Sequence, residues 1–102
     1  MIYKFKGYIS SISLEKGKNY IVKFKYIELK DFENNSYFAK EIKDNDETFS
    51  IKPLKSDDEF KANSKFGKLL ISAFSNRNEV IITFEDTSSS QYTITKVELT
   101  ND

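Results

Sequence analysis

Residues 2–14 read IYKFKGYISSISL. From Ile2 to Ile9 the residues alternate. Tyr3, Phe5, Gly7 and Ile9 take one face, and Ile2, Lys4, Lys6 and Tyr8 take the other. That is the period of a half-buried strand. The apolar parity then switches, because Ile12 and Leu14 are even-numbered. A switch at Ser10–Ser11, close after Gly7, predicts a β-bulge or sharp bend. The first strand is therefore expected to be long and kinked.

A polar stretch with a glycine, Glu15–Asn19, predicts a turn. Tyr20 to Leu29 alternates again, with Tyr20, Val22, Phe24 and Tyr26 on one face and Ile21, Lys23, Lys25 and Ile27 on the other. Residues 31–47 are polar and acidic, with SYFAKEI (36–42) as a short strand inside them. TFSIKPL (48–54) predicts a third main strand, which Pro53 ends or marks as a sheet edge. Ser56 and Glu59 then have capping-box spacing, and Asp57 and Asp58 suit the positive end of a helix. Ser64 competes as the helix start. Phe66, Leu69, Leu70, Ala73 and Phe74 follow at helical spacing, and Asn76–Asn78 ends them. EVIITFED (79–86) predicts a strand with Val80, Ile82 and Phe84 inward. YTITKVEL (92–99) predicts the last, with a second parity switch between Ile94 and Val97.

The expected order is strand, strand, strand, helix, strand, strand. In that order and in its bends, nearly the whole chain resembles the OB-fold, a five-stranded Greek-key barrel. FGKLLISAFSNRNEVIITFED (66–86) followed by YTITKVEL is similar to the helix-to-strand segment of the OB-fold B subunits of ring-forming bacterial toxins. That resemblance implies a homo-oligomeric ring and glycan binding. Those subunits carry a signal peptide and a disulfide, and this chain has no cysteine to form one. The fold class expected is mainly β, a single OB-like domain over residues 1–102 with one helix between barrel strands 3 and 4. Another small β-barrel, or a sheet packed on one helix, is the alternative.

Composition narrows the function. The chain has 102 residues with nine Phe and six Tyr, so aromatic rings supply much of a modest core. It has no histidine and no cysteine, which removes the usual general base near neutral pH and the soft metal ligands. Asp44–Glu47 (DNDE) read as a calcium loop has Phe49 where glycine is required and Lys55 where the closing glutamate belongs. No phosphate loop or nucleophile elbow is present. The expectation is a protein that is not an enzyme and has no metal or cofactor. No apolar run approaches the roughly 18 residues of a spanning helix. With no apolar leader and no cysteine, a cytoplasmic location is expected, with a mature secreted form whose signal has been removed as the alternative, and membrane association is not expected.

Net charge is zero but unevenly placed. Residues 1–30 hold seven lysines against two glutamates, whereas residues 31–60 hold nine acids against four lysines. Arg77 is the single arginine, so base-edge reading by a guanidinium fork is excluded as a main mode. If strands one and two pair as a hairpin, Lys4, Lys6, Lys23 and Lys25 share a face. Like charges set opposite one another cost roughly 0.2–1 kcal/mol per pair, so an anionic partner would relieve them. Lys4, Lys6, Tyr8, Lys23, Lys25 and the loop residue Tyr37 are the candidate contacts for single-stranded nucleic acid or a nucleotide. Ile2, Ile21, Ile27 and Ile81 sit on the polar parity of their strands and are the candidate interface for a protein partner or a second copy. A small, cysteine-free, lysine- and asparagine-rich chain also resembles phage or mobile-element inhibitors of host defence enzymes. For that class the acidic segment Asp31–Glu47 would be the mimic of nucleic acid.

Overall fold

The computed structural model describes residues 2–14, 19–25, 37–41, 51–55, 57–87 and 91–99, with backbone alone in 37–41 and 51–53. Among these, seven strands follow in order: β1 (Ile2–Leu14), β2 (Asn19–Lys25), β3 (Tyr37–Glu41), β4 (Ile51–Leu54), β5 (Phe60–Asn63), β6 (Val80–Asp86) and β7 (Tyr92–Leu99). One α-helix, α1 (Gly67–Asn76), follows a 3-10 turn at Ser64–Phe66.

The kink in β1 is present. Its register against β2 shifts between Ile9 and Ser11. Ile2–Gly7 pair with β6, and from Tyr8 onward, through the shift, the strand pairs with β2 out to Leu14 and Tyr20. One strand thus serves two neighbours, and that closes a barrel. The ring runs β1, β2, β5, β7, β6 and back to β1, every pair antiparallel except β5 with β7. This is the five-stranded OB-like barrel, with its helix between the third and fourth barrel strands. The second parity switch is also a bulge. Thr83 faces Lys96 and Phe84 faces Ile94, so Thr95 is the extra residue, and its hydroxyl donates to the Thr83 carbonyl at 3.2 Å.

The interior is closed by aromatic rings, one from each barrel strand. Phe5 meets Phe24 with ring centroids 5.0 Å apart, Phe24 meets Phe60 at 5.2 Å, and Phe60 meets Phe84 at 5.0 Å. All three contacts are edge to face, the arrangement that the ring quadrupole favours. Tyr92 of β7 completes the layer against Phe60 and Phe84. Tyr3, Phe5 and Phe24, expected on the inward parity, are buried, as are Val80, Ile82 and Phe84.

The third barrel strand is not the one the sequence pattern points to. The described part of TFSIKPL is β4, which pairs with β3 outside the ring; β3 in turn pairs with the start of β1. Thr48–Ser50 lie outside the described residues. β4 ends the sheet order, at an edge, as Pro53 anticipates. The third barrel strand is β5, within the stretch whose capping-box spacing predicts a helix start. Phe60 and Ala62 are fully buried at period two, and β5 pairs with Asn19–Val22. Burial of that face outweighs a capping pattern worth about 1 kcal/mol. The turn ahead of β5 uses Asp58 instead, whose carboxylate accepts the Lys55 backbone N–H at 2.7 Å. Asn63 caps the 3-10 turn, accepting the Lys65 N–H at 3.0 Å.

α1 buries Gly67, Leu70 and Ala73 and packs chiefly along β1. It ends in a Schellman arrangement, with the Asn78 N–H donating to the Ala73 carbonyl at 2.9 Å and Arg77 in the left-handed region at φ 54°.

Candidate functional site

Alternation along β1 buries Tyr3, Phe5, Gly7 and Ile9, so Lys4, Lys6 and Tyr8 stand on the outside of the barrel. On β2 the same rule buries Val22 and Phe24 and turns Ile21, Lys23 and Lys25 outward. The bulge then decides which residues meet. Tyr8 faces Lys25, and Ser11 faces Lys23. Lys4 and Lys6 lie past the end of the β1–β2 ladder and face Thr83 and Ile81 of β6. The four lysines share one outer surface, as expected, but no lysine opposes another across β1 and β2. The expected like-charge penalty within that hairpin is absent, because β1 pairs with β6 rather than β2 from Gly7 back to Ile2. On its other edge Lys4 is in register with Lys40 of β3.

The result is a strip, Lys4, Lys6, Tyr8, then Lys25 and Lys23, interleaved with the outward Ser11 and Ser13. Tyr8 is half-buried and has a lysine both beside it and across from it. Tyr37 is the first residue of β3 rather than a loop residue; its side chain lies outside the described residues.

The isoleucines do not fall on one patch. Ile2 is exposed and faces Glu85, while Ile81 faces Lys6 four positions along the same ladder. Ile21 lies across β1 from both, against Ser13 and Lys61. Ile27 is outside the described residues, as are Asp44–Glu47 and most of the acidic segment. Three further exposed apolar side chains, Leu69, Ile71 and Phe74, are on the helix, and among the described residues Leu14 at the end of β1 is the most exposed at 66%.

Beyond the strip, a groove of about 490 Å³ opens on the outer side of β2 and β5. It is lined by Ile21 and Lys61 of the two strands, by Lys55, Asp57, Asp58 and Glu59 ahead of β5, and by Gln91 and Tyr92. Its charge is mixed, with two lysines and three carboxylates. Sequence reading missed this groove for the same reason it missed β5: Asp57–Glu59 had a sufficient explanation as a helix cap. The signal that would have found it is the alternation of Phe60 and Ala62 immediately downstream.

Among the described residues no group of three or more acidic side chains is arranged to hold a metal ion, and no helix is long and apolar enough to cross a membrane. No protein-family model matches the sequence, and comparison with characterised proteins and with solved structures gives no significant match. The barrel assignment rests on strand order and register.

Proposed function

We propose that this chain is a non-enzymatic binding module that takes an anionic ligand, single-stranded nucleic acid or a nucleotide, on the outer face of β1 and β2. The observation that carries this reading is the run of Lys4, Lys6 and Tyr8 along the outer face of β1, continued across the β1–β2 pairing by Lys25 and Lys23. Lysines follow phosphates without reading bases, and a tyrosine face stacks any base. OB-folds bind oligonucleotides and oligosaccharides over their second and third strands. In this barrel those are β2 and β5, and the strip reaches β2 from the β1 side.

The test is a fluorescence-anisotropy titration against labelled single-stranded DNA and RNA at about 50 and 200 mM salt. Four lysine–phosphate contacts give a slope of about −2.8 in log affinity against log salt, or roughly a 50-fold loss between those conditions. Micromolar or tighter binding with that slope supports the reading. Absence of binding at low salt defeats it for nucleic acid.

A second reading, a protein-binding inhibitor or subunit of the kind phages and mobile elements carry, is favoured by a different observation from the one first expected. α1 carries three exposed apolar side chains, Leu69, Ile71 and Phe74, whereas the candidate isoleucines that are described, Ile2, Ile21 and Ile81, are spread over β1, β2 and β6. A glycan-binding ring subunit, implied by the toxin resemblance, has no family match behind it and ranks third.

A further inference from the structure

We infer that the outer ridge of α1 docks an acidic protein partner, one whose own apolar patch is flanked by carboxylates. This rests on the second reading above, not on the lysine strip, and names the partner's chemistry.

The ridge follows from helical spacing. Residues three apart line up in rows along a helix surface. Gly67, Leu70 and Ala73 form the row that is buried. Lys68, Ile71, Phe74 and the closing residue Arg77 form the next row, and all four are exposed. In order they read cation, apolar, apolar, cation. Leu69 belongs to the third row, where Ser72 and Ser75 follow it, so two apolar neighbours meet only at Ile71 and Phe74. Near the start of the helix the Tyr20 ring reaches Gly67, and Tyr20 is in register with Leu14. The exposed Leu14 thus adds apolar surface near the first turn.

Charge selects the occupant. Between Glu59 and Glu79 the chain has four cations, Lys61, Lys65, Lys68 and Arg77, and no acid. Lys65 lies over the Phe66 ring, 5.9 Å from its centroid. Lys68 and Arg77 stand one at each end of the apolar pair. A partner that covers Ile71 and Phe74 must come up against both cations, so carboxylates at its rim are drawn in and basic groups are repelled. Phenylalanine and arginine are also residue types that interface centres favour.

Two other occupants fit less well. A second copy using this same face would set cations against cations, because a two-fold interface is self-complementary. An interfacial helix sinks a whole apolar face about 5–10 Å into a bilayer. α1 has already turned that face to the barrel, and Ile71 and Phe74 are only 47% and 44% exposed.

The experiment is an amide NMR titration of the full chain with three probes: an amphipathic peptide of glutamate and leucine, its lysine and leucine counterpart, and phosphatidylserine vesicles. The acidic peptide alone is expected to bind, moving the amides from Lys65 to Arg77. Phe74→Ser should weaken it about tenfold. Lys68→Glu, on an exposed side chain, should weaken it about fivefold while the unfolding midpoint stays in place. Shifts confined to another face overturn the inference and leave the second reading standing. Equal binding of the basic peptide, or tighter binding to the vesicles, overturns it as well. So does self-association of the free chain that Phe74→Ser abolishes, which assigns the ridge to a second copy. No response to the acidic peptide overturns the inference and removes α1 from the second reading.

Discussion

Phe60 and Phe84 meet edge to face across the barrel, centroids 5.0 Å apart and planes 83° apart. Both are fully buried, and Phe60 also touches Phe5, Phe24 and Tyr92. It is the ring that joins all the others, although it sits on a strand of only four residues. Replacing it removes several aromatic contacts at once and leaves a void. Phe60→Ala is expected to cost about 3–5 kcal/mol, and Phe60→Leu about 1–2 kcal/mol. Urea unfolding checks both through the midpoint at unchanged slope. Lys65→Ala on the exposed 3-10 turn, the comparison, should stay within about 0.5 kcal/mol.

Gly67 opens α1 directly under Tyr20. A Cβ placed there would stand 2.9 Å from both Cε2 and the hydroxyl oxygen of Tyr20. Tyr20 packs on the core, so displacing its ring loses contacts. Gly67→Ala should therefore destabilise by about 1 kcal/mol, even though alanine favours a helix over glycine by nearly that amount. In a Tyr20→Ala background the clash is gone and the sign should reverse. A double-mutant cycle by thermal unfolding measures that reversal.

Arg77 holds the left-handed position that closes α1, where glycine carries no Cβ penalty. Arg77→Gly is expected to stabilise the chain by about 0.5–1 kcal/mol, the relief of backbone strain being partly offset by the freer unfolded chain. Arg77→Ala keeps the Cβ and should not stabilise. Chemical denaturation of the two variants side by side is the check.

The bends were legible because side-chain parity records them. Ile9 to Ile12 and Ile94 to Val97 each change face, and each change is a bulge in the structure. The inward rings of β1, β2 and β6 were legible from strict alternation. The third barrel strand was not. Four residues leave too little pattern to compete with the Ser56–Glu59 spacing, and Phe60 owes its place to rings contributed by distant strands. The lysine face was legible as a face but not as a geometry. Register against two partners, which change over between Gly7 and Tyr8, places Lys25 against Tyr8 and Lys4 against β6. No local signal encodes that division.

The strip's charge can be tested apart from its folding. Lys4 and Lys23 are neither buried nor part of the aromatic core, and they face Thr83 and Ser11. Reversing both in Lys4→Glu/Lys23→Glu leaves two of the four outward lysines of the strip. If phosphates lie along this ladder, the log–log salt slope should fall to about −1.4 or less, half that expected of the unmodified chain. Affinity at low salt should drop at least tenfold. The unfolding midpoint should move little, since exposed charges so placed contribute about 0–1 kcal/mol. A merely structural defect would lower the active fraction without changing the slope, so the slope is the decisive reading. Binding that keeps both its strength and its salt dependence in this variant would remove the lysine strip from the site and turn attention to the exposed apolar side chains of α1, such as Ile71 and Phe74.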